Sequence, residues 1–322
     1  AISVFGLPKG IFFLFTLCNS IKRIMSLGLD FKMFDRVHAH KLTFEGPIAY
    51  YLYRRLKIPY LVTVQQTDFK VLKFKPLLKR FYLKILKDAE CVIIVSPWIR
   101  KRLCKVFGYE NMKPLLQKLY DIPLIIDREL IHSDSENGRF ICAFHMRKGY
   151  IKLKNIYRVL KAISILRQSG VIIRLDIAGS GPAENKVEHM IKRLGLNGQV
   201  RLLGRIDNDR MIKLMSEYRA FVLCSYPETF GMVYIEALSA GIPVIYSKNT
   251  GIDGFFDNMG IGIAVQHHNV KEICSALAEL DTNPLEYRKR VHELQKSGFL
   301  RLFSMESVKL KYKNLMAIMV PQ

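Results

Sequence analysis

Disulfide spacing, long apolar runs and acidic side chains are all scarce in this chain. Its six cysteines, Cys18, Cys91, Cys104, Cys142, Cys224 and Cys274, lie far apart and mostly inside apolar stretches. That pattern is neither a disulfide framework nor a zinc spacing; it is the usage of buried free thiols in a reducing compartment. The apolar run at residues 10–18 is far short of the roughly 20 residues a spanning helix needs. No small-residue cleavage site follows it, so a cleaved leader is not expected and a cytoplasmic location is the default. Internal repeats and low-complexity segments are lacking too. Acidic residues are the main shortage: 28 Asp and Glu stand against 50 Lys and Arg, a formal net charge of +22. The excess is denser in the first 130 residues, which hold 23 basic and 10 acidic side chains. Three kinds of anionic partner answer such a charge: nucleic acid, an anionic membrane face, or phosphorylated substrates. No RNA- or DNA-binding module pattern is present, and the aromatics sit in apolar rather than basic runs, so nucleic acid is not an expected partner.

Half of the 322 residues are hydrophobic and about a quarter charged, which is globular composition with ample core material. The length suits two domains of about 150 residues each. Strand-like and helix-like patterns alternate almost throughout, which predicts parallel sheets covered by helices on both faces. In the first part the strands read as 34–40, 60–65 and 91–96, and the helices as 45–57, 74–87 and 97–107. A second series opens at 140–144 and continues with helix 155–168, strand 172–178, helix 184–194, strand 200–203, helix 209–218 and strand 220–224. Strands at 244–247 and 261–265 and helices from Val270 onward complete it. Periodicity is lost at 131–139, a polar stretch, so the domains read as 1–133 and 134–322, with the last helices packing back on the first.

The most informative stretch is Pro227-Glu228-Thr229-Phe230-Gly231, followed by Glu236 and then Ala237-Leu238. It joins an apolar strand to a helix that stops at Gly241 with Pro243 just beyond. Such a turn aims free N–H groups, and a helix dipole of about half a charge, at whatever sits above the sheet. Two carboxylates eight residues apart, one in the turn and one about two turns into the helix, can hold two sets of hydroxyls. A ligand with hydroxyls at both ends and phosphate between fits that layout, as nucleotide sugars do. Gly231 is the position where backbone would approach such a ligand closely. Without the wider context, Glu228 reads as a solvated cap and Glu236 as an ordinary exposed helix residue.

The full string, Pro-Glu-Thr-Phe-Gly, four residues, then Glu-Ala-Leu-Ser-Ala-Gly-Ile-Pro-Val-Ile, resembles the signature of the family 4 (GT4) retaining glycosyltransferases. The resemblance covers roughly residues 35–320. It implies the GT-B architecture: two Rossmann-like doubly wound α/β domains facing a cleft that holds the donor. That family usually begins with a glycine-rich loop after its first strand, and no such loop is found; the first domain reads as lacking its opening β-α units.

Further matches follow in the family's order. Ala178-Gly179-Ser180-Gly181-Pro182 resembles its glycine turn, although any tight βα turn carries Gly-x-Gly. The strand at 200–203, ending in Gly204-Arg205, resembles the one bordering the nucleotide base. Arg147, Lys148, Lys152 and Lys154 cluster where the first strand of this domain meets its first helix, which by itself reads as a solvated basic loop. The resemblance assigns an Arg on that loop and a Lys at the helix start to the diphosphate. The Gly-Arg pair usual there reads His145-Met146-Arg147, and Arg147 with Lys154 is preferred, Lys152 being the alternative. No metal and no cofactor are expected: fixed cations and N–H dipoles are to meet the charge on the departing phosphate. Glu228 is expected on the donor sugar, Glu236 on the ribose, and the N–H groups around Thr229, Phe230, Gly231 and Met232 on the diphosphate.

In the first half, His38-Ala39-His40 ends a strand and Glu45-Gly46 opens a helix. Alternating imidazoles share one face of a strand, as a zinc site would want, but no further ligands lie nearby in sequence. The pattern resembles the family's acceptor-side loop instead. Gln65-Gln66-Thr67-Asp68 aligns with a stretch that commonly reads His-Gly-Ser/Thr-Asp, so Gln65 stands where relatives place a histidine facing the donor sugar. A glutamine cannot shuttle a proton near neutral pH, which suits a front-face mechanism in which the leaving phosphate oxygen takes the acceptor's proton. The hydrophobic-Asp pair at Ile126-Asp127 lacks the Pro-Asn-Gly turn common before it. Residues 69–87 and 97–105 interleave Lys and Arg with Leu, Phe and Tyr. Such stretches read either as solvated amphipathic helices or as docking faces for an anionic leaflet presenting a lipid-linked acceptor, which would make the protein peripheral on the inner face of the cell membrane. The expectation is therefore a retaining transferase moving sugar from a UDP- or GDP-sugar to a saccharide or lipid-linked saccharide in surface-polysaccharide assembly. The alternatives are a non-catalytic nucleotide- or glycan-binding relative, favoured by Gln65 and by the missing opening glycine loop, and a GT-B nucleotide-sugar epimerase.

Overall fold

The computed structural model describes residues 13–133 and 137–318. The start of the apolar run at 10–18, and residues 134–136 of the polar stretch, lie outside the described residues. The chain forms two compact units, Ala1–Ile122 with Leu315–Gln322, and Pro123–Asn314. The division falls before the polar stretch because the segment after Pro123 already bonds to the second unit. The Ile126 N–H donates to the Phe303 carbonyl and the Ile131 N–H to the Ser239 carbonyl, each at 2.8 Å.

The first unit runs α1 (Phe13–Met25), β1 (Val37–Ala39), α2 (Glu45–Leu56), β2 (Tyr60–Val64), α3 (Gln66–Phe74), α4 (Lys79–Asp88), β3 (Cys91–Ile94), α5 (Trp98–Phe107), α6 (Tyr109–Met112) and β4 (Leu119–Asp121). Its four strands are parallel and lie in sequence order, β1-β2-β3-β4. Every residue of β2 and β3 is buried, as expected of strands covered on both faces. The helix expected at 74–87 begins only at Lys79, as α4, and α3 before it was not expected. Pro76 has no N–H to continue α3, and a 3-10 turn, Pro76–Leu78, separates α3 from α4. β4 was not visible in the sequence.

The second unit runs β5 (Phe140–Ala143), α7 (Tyr150–Lys154), α8 (Ile156–Gln168), β6 (Leu175–Ala178), α9 (Glu184–Arg193), β7 (Val200–Gly204), α10 (Asn208–Met215), β8 (Ala220–Val222), α11 (Met232–Ser239), β9 (Val244–Ser247), β10 (Gly262–Val265), α12 (Val270–Thr282) and α13 (Pro284–Lys296); α14 (Met305–Ile318) follows. Six parallel strands take the order β10-β9-β8-β5-β6-β7. From β5 the chain builds one way to β7, then returns to build the other way from β8. The two directions part between β5 and β8, and a doubly wound sheet binds ligands at the C-terminal ends of the strands flanking such a point. Phe140, Ile177, Phe221 and Ile245, all fully buried, belong to its core.

A buried charge network fastens this sheet. Asp176 of β6, fully buried, accepts from Arg139, from Arg201 Nε at 2.9 Å and from the Tyr218 hydroxyl at 2.9 Å. Burial pushes the Asp176 carboxyl up, but the donors from Arg201, Arg139 and Tyr218 together outweigh it and leave it below its ordinary value.

Candidate functional site

In the second unit the loops after β5 and β8 meet across the point where strand order reverses. The Tyr226 N–H donates to the Leu153 carbonyl at 2.8 Å, and Tyr226 stacks on His267 with centroids 3.8 Å apart. Asn155, whose backbone is left-handed at φ 57°, donates from Nδ2 to the His267 carbonyl at 2.6 Å. These bonds set the end of α7 against the turn carrying Glu228. Lys154 Nζ then lies 2.7 Å from Glu228 Oε2, with the two side chains 20% and 18% exposed. Ser225 Oγ donates to the same carboxylate oxygen at 3.1 Å, and the Thr229 N–H reaches Oε1 at 3.2 Å.

The backbone of Glu228 is held equally firmly. The Thr250 hydroxyl accepts from the Glu228 N–H and donates to the Glu228 carbonyl, both at 2.7 Å, and the Gly251 N–H reaches that carbonyl at 3.1 Å. The loop after β9 therefore fixes the turn after β8. Neither Ser225 nor Thr250 was singled out from sequence. Ser225 was findable as the residue at the strand end two before Pro227; Thr250 sits in an Asn-Thr-Gly loop after a predicted strand, with no signal of its partner.

Glu236 sits one turn into α11 rather than two, because the helix begins only at Met232. Arg128 donates to Glu236 Oε1 from Nη2 at 2.9 Å and Nε at 3.2 Å, so both donors converge on one oxygen. Arg128 was missed: it lies 108 positions from its partner, and only its place beside Asp127 drew notice to that segment. Each of the two predicted carboxylates is thus paired with a cation of its own unit.

The other expected residues divide. Lys154 is the lysine that reaches Glu228; Lys152 is exposed and lines a separate cavity of about 510 Å³ with Arg158, Lys161 and Lys186. Arg147 is exposed, in the turn closed by the Tyr150 N–H on its carbonyl, and it makes no ion pair to either carboxylate among the described residues. Phe230 cannot offer its side chain: it is 1% exposed, packed against Phe255 and Phe303, which leaves only its backbone. Gly231 has φ 82°, and a Cβ there would sit 2.5 Å from the Tyr234 ring. The protein's own packing explains this glycine, not only an approaching ligand. Thr229 is half-buried and Met232 exposed at the helix start, where the first N–H groups have no preceding carbonyl to bond.

Tyr234 underpins the turn. Its hydroxyl donates to the Leu223 carbonyl and lies 3.2 Å from Ser225 Oγ. Burial, and then the charge of Glu228, hold its phenol far above the ordinary range, so it stays a neutral donor.

The glycine turn after β6 is likewise forced by neighbouring backbone. A Cβ on Gly179 would lie 2.0 Å from the Phe144 carbonyl oxygen and one on Gly181 2.7 Å from that of Met146. The turn zips onto the loop after β5 through the Met146 N–H to the Ser180 carbonyl at 3.0 Å and the Ala183 N–H to the Met146 carbonyl at 2.8 Å. Gly204, at φ 69°, accepts the Gly179 N–H at 2.7 Å, and Arg205 is exposed beside it. The chain's Asp-x-Asp, Asp207-Asn208-Asp209, lies exposed at the start of α10. Among the described residues no group of three or more His, Cys, Asp and Glu is gathered about one point.

In the first unit the four expected residues meet at the C-terminal ends of β1 and β2, but with different parts. Asp68 is sealed in: it is fully buried, Oδ1 takes the Thr43 N–H at 2.8 Å and hydroxyl at 2.7 Å, and Oδ2 takes the Gln65 N–H at 2.8 Å. Burial pushes its carboxyl up, against the pull of these donors. It caps α3 and shapes the loop. His38 lies 2.8 Å from the Thr63 hydroxyl and under the ring of His40, centroids 4.1 Å apart. Burial, and then His40, push its imidazole down to about 4. That leaves exposed His40 and half-buried Gln65, which donates to the His40 carbonyl at 3.1 Å, as the residues able to meet a ligand.

Known proteins are similar to both halves of the chain. The family described as glycosyl transferases group 1 matches residues 144–297, and that described as Glycosyltransferase Family 4 matches residues 2–127. Sequence relatives include an uncharacterized glycosyltransferase of Methanocaldococcus jannaschii, 25% identical over 274 residues, 84% of this chain and 72% of that one. Each half of the chain is thus similar to a glycosyltransferase family, and the fold is GT-B. Among solved structures, the chain resembles sucrose-phosphate synthase from Thermosynechococcus elongatus, with TM-score 0.71, 19% identity, and 97% and 81% of the two chains covered. It also resembles Anabaena HepE in complex with UDP and glucose, with TM-score 0.68, 15% identity, and 97% and 84% covered. Among the described residues no helix is long and apolar enough to cross a membrane.

Proposed function

We propose that the second unit binds a nucleotide-diphosphate sugar where β5 and β8 part, and that the enzyme passes the sugar, with retention of configuration and without a metal, to a saccharide or lipid-linked saccharide in surface-polysaccharide assembly at the inner face of the cell membrane. The observation that carries this reading is the contact of Lys154 with Glu228 at 2.7 Å, a cation and a carboxylate held side by side at the strand ends where a doubly wound sheet takes its ligand. Lys154, with Arg147 and the N–H groups at the start of α11, would meet the diphosphate and the charge that grows on it as the bond to the sugar breaks. Glu228 would turn to the sugar hydroxyls. Glu236, with one oxygen held by Arg128, keeps the other for the ribose. Half-buried Gln65 cannot shuttle a proton near neutral pH, so the acceptor's proton would go to the leaving phosphate oxygen. The structure of Anabaena HepE with UDP and glucose supports a uridine donor as the first to try.

A thermal-shift panel of UDP-, GDP- and ADP-sugars tests the reading, since a ligand bound to the native state alone raises the melting point. Calorimetry then tests the residues. Hydrogen bonds to a charged group contribute about 1.5–3 kcal/mol, so Glu236→Ala is expected to weaken nucleotide binding by about 10- to 150-fold. Arg128→Ala is expected to cost a similar factor, and the double variant no more than either alone. Unchanged affinity in Glu236→Ala would refute the assignment.

A further inference from the structure

We propose that the elbow between α3 and α4 is a docking surface for an anionic lipid bilayer. Residues 69–87 hold seven Lys and Arg and no Asp or Glu. The fold sorts them cleanly. In α4, Tyr82, Ile85 and Leu86 are buried in the core of the first unit. Arg80, Lys84 and Lys87 are exposed and, at 100° per residue, form a single stripe on the opposite side of the helix. In α3, Phe69 and Leu72 are buried, while Lys70 and Lys73 are exposed. An amphipathic helix with a solvated basic face ends there.

The elbow does not. Where Pro76 stops α3, Phe74 is left 71% exposed and Leu77 94% exposed, with Lys73, Lys75 and Lys79 adjacent in the chain. Leu77 is the most exposed of the large apolar side chains described in the protein. Burying an exposed phenylalanine and an exposed leucine in an apolar phase is favourable, and both lie among lysines. A bilayer uses both. Two modest signals, an apolar wedge and a basic field, together give stable attachment where either alone is marginal. The unbroken positive charge selects an anionic leaflet. It also disfavours RNA as the occupant: beyond Phe74, the segment's aromatics Phe69, Phe81 and Tyr82 are buried or half-buried, leaving no row of rings for stacking.

The full chain is tested by flotation with vesicles of phosphatidylglycerol and phosphatidylcholine in equal parts, and with phosphatidylcholine alone, at about 0.15 M salt. Binding is expected to the first and not the second. Near an anionic surface each basic residue is worth about fivefold in binding, so replacing Arg80, Lys84 and Lys87 together by Gln is expected to weaken binding by about a hundredfold. Phe74→Ser with Leu77→Ser, both at exposed positions, is expected to weaken it while leaving the melting point and nucleotide affinity unchanged. Leu77→Trp should shift its emission to the blue on the anionic vesicles only. The proposal is overturned if the wild-type chain stays unbound, if the serine pair binds as wild type with Leu77→Trp remaining solvent-like, or if the chain holds a mixed-sequence RNA more tightly than the vesicles. None of these outcomes touches the donor-site reading, which calorimetry with soluble nucleotide decides separately.

Discussion

Removing the ammonium of Lys154 separates two uses of that charge. In the free protein its Nζ lies 2.7 Å from Glu228 Oε2, with about four-fifths of each side chain covered. Exposed pairs contribute about 0–1 kcal/mol, and breaking a fully buried pair costs about 3–5 kcal/mol. Glu228 keeps two other donors, from Ser225 and Thr229, so Lys154→Met is expected to cost about 2 kcal/mol of stability. In urea unfolding, Lys154→Met, Glu228→Gln and the double variant form a cycle whose coupling should be about 1–2 kcal/mol. Ligand binding should behave differently. Lys154→Met loses a charged partner for the diphosphate and is expected to weaken UDP binding by about 10- to 100-fold. Glu228→Gln frees the lysine, so UDP alone should bind as well as before or better, while transfer from the UDP-sugar falls. The reasoning fails if the stability changes simply add and UDP affinity is the same in all three variants. The pair would then be an ordinary surface contact that happens to lie at the strand ends.

Two further outcomes concern the scaffold. Asp176→Asn leaves the buried Arg139 facing a neutral amide, with the more exposed Arg201 beside it, and is expected to destabilise the protein by about 3 kcal/mol in denaturant titration. In the native protein the Asp176 carboxyl is held below its ordinary value, so its stabilisation is complete above the unfolded carboxylate pKa of about 4 and is lost as pH falls through the folded value; the variant should show a shallower acid limb. Gly179→Ala would place a methyl 2.0 Å from the Phe144 carbonyl at φ 126° and is expected to yield little folded protein by circular dichroism, whereas Gly204→Ala, with open space around it, should fold and lose only the roughly 1–3 kcal/mol of a left-handed alanine.

The sequence was most legible where one period ran unopposed. β9 spans 244–247 as read, and α11 ends at Ser239, just before Gly241 and Pro243. It was least legible where a short element depends on a neighbour: β4 is three residues, Leu-Tyr-Asp, made a strand only by pairing with β3. The α3–α4 break shows a local rule overriding a periodic one. The apolar spacing of 74–87 looked continuous, yet Pro76 ends it, and the side chains freed at that break are the most exposed apolar ones of the segment.

The candidate site was legible in residue type but not in use. Asp68, Glu228 and Glu236 all stood out as carboxylates at strand or helix ends, and a chain of letters gives them equal standing. The fold distinguishes them by their occupied oxygens. Asp68 has both oxygens taken by the loop it shapes, and no solvent reaches it. Glu228 shares one oxygen between Lys154 and Ser225, and a weak backbone contact holds the other. Glu236 has both of its donors from Arg128 on a single oxygen. A carboxylate available to a hydroxyl-bearing ligand is one whose protein partners leave a lone pair facing outward, and that ordering runs from Asp68 through Glu228 to Glu236. Substituting the three by the isosteric amide should therefore shift effects from stability toward binding in the same order. Asn at 68 should cost mostly folding, and Gln at 236 mostly nucleotide affinity. A reversal, with Gln at 236 the more destabilising, would mean that the Arg128 pair is a brace of the fold and the ribose contact lies elsewhere.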